Sequence, residues 1–383
     1  MTENIATPSS AQGAVMASLD EHVLTALPKR STMSQCLRRH RKRMQRSDNV
    51  VFPPLLTDRK FDIPDIFADF VLYDSVPSDN RIILMGDLEL LDGLARANVW
   101  LADGTFKTVP SLYFQLYSIH FQYVGGVHPA AAYCLLPNKT QDTYERMLIE
   151  IKRLIPAAAP TVILTDFESA SMAAFNAAYP SATVSGCYFH LCQSVLRKIN
   201  DLGMKADYET SHDLRISIRC LPALAHVPAD DVAEAFDLLA ESMPSHDRMN
   251  ELLSYFEHTY VRGRRLRGRG ENYRPALFPI ARWNKYDAAT EGIARTTNIV
   301  EGWHCGLQTL FMCSHPTMWT FLEGLKKDCC KQKASYLQAI SGVEQPASKK
   351  YRDLNGRVSR TVANYGLANI LTYLRAMAHL SHA

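Results

Sequence analysis

The sequence lacks the features that mark secreted and membrane proteins. Its nine cysteines are odd in number and irregularly spaced, and Cys329 and Cys330 are too close together for an ordinary disulfide framework. No basic start followed by a continuous apolar segment occurs at the N-terminus, and no later run reaches the roughly 18 uninterrupted apolar residues of a membrane span. We therefore expect a protein of a reducing compartment, the cytosol or the nucleus, without membrane insertion.

The sequence also has almost no excess of charge of one sign. Its formal net charge of +3 is too small to indicate a nucleic-acid partner, so the local distribution of charge matters more than the total. Internal repeats and long heptad runs are missing as well, which excludes solenoids and coiled coils. What is present is 383 residues with 47% hydrophobic and 21% charged content, enough to bury one large core or two.

Two local clusters of basic residues stand out against this balance. The first lies in residues 29–46, after a small and polar N-terminal stretch, and comprises Arg38, Arg39, Arg41, Lys42, Arg43 and Arg46. The second lies among glycines in residues 261–270 and comprises Arg262, Arg264, Arg265, Arg267 and Arg269. Both clusters are suited to contact a nucleic-acid backbone, where each neutralised phosphate releases counterions. Nuclear import is a further interpretation of the first cluster, and a solvated surface segment is the alternative for each.

Residues 97–190 alternate between strand-like and helical patterns. The runs ANVWLAD, LYFQLYSIHFQY, AAAYCLLP and TVILTD are rich in aliphatic, aromatic and β-branched residues, which is typical of strands. A helix is predicted between the third and fourth runs, opened by a capping box of Asp142 and Glu145 and ended by Pro156. A second helix up to Pro180 and a fifth strand in TVSGCYF complete the order β-β-β-α-β-α-β. Periodicity alone thus predicts a mixed α/β domain.

Beyond His190 the strand patterns fade and helices are predicted. They cover residues 191–200, 229–242, 246–260 and 316–338.

Three acidic residues lie at the ends of separate segments. Asp103 and Asp166 each follow an apolar run, where side chains at strand ends face a crevice; capping of the element is the alternative for each. Glu301 lies one turn into a predicted helix, where an acid is favourable on its own account. Carboxylates brought together repel one another, so their convergence makes sense mainly with divalent cations. The sequence therefore predicts metal-dependent phosphoryl-transfer chemistry.

Six blocks of the chain, in the right order, resemble the Mutator-like element transposases, the MULE family. They span roughly residues 80–330 and read LADGTFKTVPSLYFQLYSIH, YCLLPNKTQDTYERM, VILTDFESASMAAF, GCYFHLCQSVLRKI, FPIARWNKYD and RTTNIVEGWHCGLQ. The resemblance implies a ribonuclease H-like mixed sheet with a long all-helical insertion before the last catalytic acid. It also implies that Asp103, Asp166 and Glu301 hold two Mg²⁺ or Mn²⁺ ions for cleavage at transposon ends and strand transfer into target DNA.

The resemblance extends to a C-x-x-H feature at Cys187 and His190, with Cys192 just after. Zinc needs about four ligands, so a structural zinc would require further donors brought near by the fold. The candidates are His120, Cys220, His304 and Cys305. A buried cysteine and a satisfied histidine are the favoured alternative. Lys107, close after Asp103, is a further candidate for a phosphate contact, whereas Trp283 and Trp303 are predicted to be packing residues.

One departure from the family concerns the N-terminus. Longer members often carry a Cys/His-rich zinc-finger module ahead of the core, and this chain has only His22, Cys36 and His40 for such a module before Asp103. Three interpretations follow. The chain is a truncated copy, it recognises transposon ends through its basic arm, or it binds DNA with little sequence preference.

The predicted organisation has six parts. They are a tail and basic arm at 1–49, a pre-core segment at 50–96, the first part of the core at 97–200, the helical insertion at 201–290, the core completion with Glu301 at 291–338 and a C-terminal helical segment at 339–383. We expect a nuclear DNA transposase, or a recent derivative, that acts as a homo-oligomer on transposon and target DNA. The alternatives are a domesticated DNA-binding regulator without catalysis and a generic metal-dependent nuclease.

Overall fold

A seven-stranded mixed sheet lies at the centre of the structure. The structure is a computed structural model that describes residues 56–123, 126–264, 273–343 and 349–380. The strands follow the spatial order β1-β2-β5-β4-β3-β6-β7. Their bounds are β1 Val71–Asp74, β2 Ile83–Gly86, β3 Val99–Thr105, β4 Gln115–Phe121, β5 Ala130–Leu136, β6 Val162–Thr165 and β7 Thr183–Gly186. The pairs β3–β6 and β6–β7 are parallel and the other neighbours are antiparallel. The predicted mixed α/β class is therefore confirmed.

Helices make up most of the remaining described chain. Their bounds are α1 Leu88–Arg96, α2 Gln141–Leu154, α3 Ser169–Ala178, α4 Tyr188–Asp201, α5 Lys205–Thr210, α6 His212–Ala223, α7 Val232–Glu241, α8 Met249–Phe256, α9 Tyr286–Thr290, α10 Asn298–Phe311, α11 Met318–Ile340, α12 Lys349–Ala363 and α13 Ile370–Leu380. The four helices predicted beyond His190 correspond to α4, α7, α8 and α11. In the part of the chain that the structure describes, no helix is long and apolar enough to cross a membrane.

The middle of the sheet is buried on both faces. Every residue of β4 and β5 is buried, because helices cover the sheet on either side. Strands of this kind appear in the sequence as continuous apolar runs rather than as alternating patterns. Each cysteine in the described residues is a free thiol.

Two local predictions about this region were wrong. Helix α2 begins after Thr140, whose side-chain oxygen accepts a hydrogen bond from the N–H of Thr143, and so Asp142 does not form the predicted capping box with Glu145. The side chain of Asn138 accepts a hydrogen bond from the Thr140 N–H, which turns the chain before Asp142 is reached. The fifth strand ends at Gly186 instead of continuing through TVSGCYF, because α4 begins at Tyr188.

Because β3, β6 and β7 run parallel, their carboxyl ends lie side by side, at what is called the sheet edge below. Val99 pairs with Val162 and Leu101 with Leu164, an offset of 63 residues that also separates Asp103 from Asp166. Continuing this register brings the two aspartates to neighbouring positions on strands about 4.8 Å apart. Since β7 pairs in parallel with β6, Cys187 follows it at the same edge.

Trp283 and Trp303 are packing residues, as predicted. Trp283 is fully buried, and its Nε1 donates a hydrogen bond to the Tyr260 carbonyl at 2.8 Å. Trp303 is half-buried, donates a hydrogen bond from Nε1 to Asp328 at 2.7 Å and lies against the His120 ring. Both side chains therefore belong to the protein interior rather than to a base-stacking surface.

Candidate active site

Asp103 lies in β3, two residues before the strand ends, and its side chain is almost fully buried. One carboxylate oxygen accepts a hydrogen bond from the Gly104 N–H at 2.8 Å, and the other lies 3.7 Å from Nδ1 of His304. Burial, followed by the negative charge of Asp166, raises the Asp103 pKa to about 7. The positive charge of His190 opposes this rise, and the negative charge of Glu301 adds to it.

Asp166 comes directly after β6. The Thr165 hydroxyl donates a hydrogen bond to its carboxylate at 3.3 Å, and the Glu168 N–H stabilises the ionised form. Burial outweighs these contacts and the positive charge of His190, and therefore raises the Asp166 pKa. Asp103 and Asp166 thus meet at the carboxyl ends of β3 and β6. Because both side chains are buried and carry the same charge when ionised, ionising both without a bound cation costs free energy.

Glu301 lies in the first turn of α10, as predicted. The preceding residue, Val300, packs on Leu101 and Leu164, and this contact fixes the start of α10 over β3 and β6. Side chains two residues apart in a strand share a face, so α10 covers the same face of β3 that carries Asp103. The Glu301 carboxylate lies near enough to Asp103 for its negative charge to raise the Asp103 pKa, and its Oε1 is 3.1 Å from Nε2 of His190.

The donor chemistry of the three acids fits a hard divalent cation. Mg²⁺ and Mn²⁺ prefer oxygen ligands, and Mg²⁺ is usually held by one or two carboxylates together with substrate phosphates. A cation would also offset the cost of placing Asp103 beside two like charges. Within the described residues, however, no group of three or more His, Cys, Asp or Glu side chains is arranged to hold a metal ion. Metal binding at the three acids therefore stays a prediction.

The C-x-x-H segment lies next to these acids. Cys187 precedes α4, and its Sγ accepts a hydrogen bond from the Thr297 N–H at 3.2 Å. Burial raises the Cys187 pKa, but the neighbouring His190 outweighs burial and lowers it overall. Burial lowers the pKa of His190, but interactions with Cys187 and Glu301 raise it to about 11. The segment thus has its own partners in the protein, and zinc binding there stays a prediction.

A comparison with protein families bears on this segment directly. Residues 99–194, called the MULE segment below, match the MULE transposase domain. The matched segment runs from the start of β3 into α4, so it contains Asp103, Asp166, Cys187 and His190 and ends before Glu301. No curated protein is similar enough to the chain to count as a match.

Two polar residues beside the acids, Glu168 and Lys139, were missed by sequence reasoning, and a third, His304, was named only as a possible zinc ligand. His304 lies three residues after Glu301, and this spacing on one helix face was a usable signal for a place beside the acids. Glu168, the last letter of TDFE, accepts a hydrogen bond from Tyr144 at 3.1 Å, and burial together with the charge of Asp166 raises its pKa. Lys139, exposed after β5, places a positive charge near Asp166 and Glu168.

The predicted DNA-contact residues fall into three groups. Lys107 is exposed in the loop that follows β3. Arg262 forms ion pairs with Asp237 and Glu257, so its guanidinium already has protein partners, and Arg264 lines a surface cavity with Lys198 and Tyr255. The remaining residues lie outside the described part of the chain: Arg38, Arg39, Arg41, Lys42, Arg43, Arg265, Arg267 and Arg269.

The Asp103 carboxyl should make the metal-free protein less stable as the pH rises. Its folded pKa of about 7 exceeds the value of about 3.9 in an unfolded chain. Between these values the folded state binds more protons, so the free energy of unfolding falls with rising pH and levels off above pH 7. We expect Asp103→Asn to raise Tm relative to wild type by an amount that grows from pH 5 to pH 8, at roughly 1 °C per kcal/mol for a chain of this length.

Calorimetry without divalent ions checks this expectation. The control is Asp213→Asn, since the Asp213 side chain is 99% exposed. A Tm difference between Asp103→Asn and wild type that is the same at both pH values would contradict the raised pKa.

Proposed function

We propose that this protein is a DNA transposase of the MULE type, or a recent derivative of one, with a ribonuclease H-like core. The observation that carries the proposal is the position of Asp103 and Asp166. The MULE match contains both residues, and the β3–β6 register, continued two residues beyond the pair Leu101 and Leu164, supports their lying side by side. The spatial order β5-β4-β3-β6-β7, with three antiparallel strands followed by two parallel ones, supports the proposed core. The described helices α5 to α9 lie within the proposed insertion, residues 201–290.

In this proposal Asp103, Asp166 and Glu301 would hold two Mg²⁺ or Mn²⁺ ions, whose chemistry there would be to activate a water or a 3′-hydroxyl and to stabilise the leaving oxygen of an in-line displacement. The N–H groups of Gly104 and Glu168 hold the aspartate carboxylates in place. The burial of Asp103 strengthens every electrostatic interaction around it, since charges interact more strongly away from water.

The proposed partners are transposon ends and target DNA, bound by a homo-oligomer in the nucleus. Lys107 and Lys139 are exposed cations at the sheet edge that carries the acids, where they are suited to contact phosphates next to the cleaved bond. The basic arm ahead of the core would add contacts along the DNA backbone and serve nuclear import.

A nicking assay tests the proposal. Supercoiled plasmid is incubated with the full chain and Mn²⁺, and the nicked form is measured with time, with EDTA as the control. We expect nicking that EDTA abolishes, and strand transfer only when the substrate carries the element's own ends. Nicking without strand transfer on that substrate would favour the generic nuclease. Salt-sensitive DNA binding without nicking under any divalent ion would favour the domesticated regulator.

Lys107 should contribute one phosphate contact to DNA binding. We expect Lys107→Ala to weaken binding to any DNA sequence alike and to reduce the slope of log K against log salt concentration by about 0.9. Fluorescence anisotropy at several salt concentrations measures both quantities. Lys205→Ala serves as the matched control, because Lys205 is an exposed lysine in α5, within the helical region that follows α4. An unchanged slope for Lys107→Ala would remove this residue from the DNA-binding surface.

A further inference from the structure

His190 and Glu301 come from distant parts of the chain and meet at the candidate active site. His190 lies in the first turn of α4 and Glu301 in the first turn of α10. Their side chains approach to 3.1 Å between Nε2 and Oε1, and both are more than two-thirds buried. An imidazole that carries a proton on Nε2 donates a hydrogen bond to the carboxylate in this geometry, whether the ring is neutral or charged.

Hydrogen bonds fix the start of α4 to the end of β6 on one side and to the segment before α10 on the other. The Cys187 N–H donates a hydrogen bond to the Thr165 carbonyl at 2.7 Å, directly before Asp166. On the other side, the Tyr188 N–H donates to the Arg295 carbonyl at 3.0 Å, and Cys187 Sγ accepts the hydrogen bond from Thr297. The segment that carries His190 therefore joins the strand end at Asp166 to the residues that lead into Glu301.

We propose that His190 is a positioning residue that holds the Glu301 carboxylate towards Asp103 and Asp166, with Cys187 fixing the start of α4. This inference rests on the proposed function, because it assigns Glu301 to the metal-binding acids. It gives the C-x-x-H segment a role that needs no zinc. Partners that orient a metal ligand from outside commonly change metal affinity or activity by roughly 10–100-fold when they are removed.

The test compares the wild-type chain with His190→Ala and His190→Gln. The glutamine amide can donate a hydrogen bond as the imidazole does, whereas alanine cannot. We expect His190→Ala to weaken Mn²⁺ binding, measured by the EPR signal of free Mn²⁺, by roughly 10–100-fold. The Mn²⁺ concentration for half-maximal nicking should rise in parallel, DNA affinity should stay unchanged, and His190→Gln should recover part of the loss.

The chain offers a matched control in His246, whose Nε2 lies 3.1 Å from the Asp207 carboxylate in the helical region. His246→Ala removes a contact of the same length and should leave Mn²⁺ affinity and nicking unchanged. Thermal unfolding shows whether each variant folds. If His190→Ala does not fold, His190→Gln is compared with the wild type instead.

The outcomes separate this inference from the proposed function. A wild type that binds Mn²⁺ and nicks DNA, with His190→Ala equal to it, overturns the positioning role alone. The role also fails if folded His190→Gln is as impaired as His190→Ala. It fails too if the wild type carries one zinc per chain that Cys187→Ser loses, as measured by mass spectrometry. A wild type that neither binds Mn²⁺ nor nicks DNA overturns both proposals.

Discussion

Asp166→Asn is expected to reduce Mn²⁺-dependent DNA nicking by at least roughly 100-fold, the scale seen when one group that stabilises transition-state charge is removed. Asparagine has almost the same shape as aspartate and keeps an oxygen that can accept the hydrogen bond from the Thr165 hydroxyl. It lacks the negative charge that a divalent cation requires of its ligand. The loss should therefore appear in the nicking rate and in Mn²⁺ affinity while the fold is preserved.

Two further variants make this expectation specific. Glu301→Gln should be as damaging as Asp166→Asn, because both carboxylates are proposed to share the ions. Asp207→Asn is the control, since it removes an exposed carboxylate that pairs with a histidine in the helical region. Nicking that survives in Asp166→Asn would show that the acids have been assigned wrongly.

The largest effect on stability is expected for Trp283→Ala, which should lower the free energy of unfolding by about 3–5 kcal/mol. The side chain is fully buried and lies edge-on against Phe256 and Tyr260. Its removal leaves a cavity and also leaves the Tyr260 carbonyl without the hydrogen bond from Nε1. Chemical denaturation, followed by far-ultraviolet circular dichroism, measures the change.

Trp283→Phe separates the two contributions. Phenylalanine retains much of the apolar packing and loses the hydrogen bond, so its cost should be clearly smaller than that of alanine. Leu367→Ala is the control, because Leu367 is 81% exposed and its truncation should change stability little. If Trp283→Ala instead weakened DNA binding at unchanged stability, the packing role of this side chain would be wrong.

The sequence predicted the strands of the MULE segment because each lies in a clearly bounded run of aliphatic, aromatic and β-branched residues. It did not predict β1 and β2, which are four residues each; β2 pairs antiparallel with β5, and β1 pairs with β2. Strands of four residues carry little periodicity, and β6 and β7, which are as short, were found within the longer runs TVILTD and TVSGCYF. The predicted boundary of the pre-core segment at residues 50–96 stays a prediction. Strands β1 and β2 of this segment belong to the same sheet as the other five strands.

The site was predictable in part. Residues paired between β3 and β6 differ by 63 in their numbers, and so do Asp103 and Asp166. The spacing of the two aspartates in the sequence therefore corresponds to the pairing of their strands. The contact between His190 and Glu301 could not be predicted, since it depends on how α4 and α10 pack after a long helical segment. His304 was named from the sequence only as a possible zinc ligand, although its position relative to Glu301 places both on one helix face.

The packing of Val300 on Leu101 and Leu164 affects the chain while it is being synthesised. A nascent polypeptide that has emerged only as far as α4 already contains both aspartates, but their glutamate and its hydrophobic cover are still to come. In such a chain Leu101 and Leu164 would lack the cover that Val300 gives them, and exposed apolar surface of this kind favours aggregation until the rest of the chain has emerged. The three proposed acids would likewise be complete only after residue 301 has been synthesised.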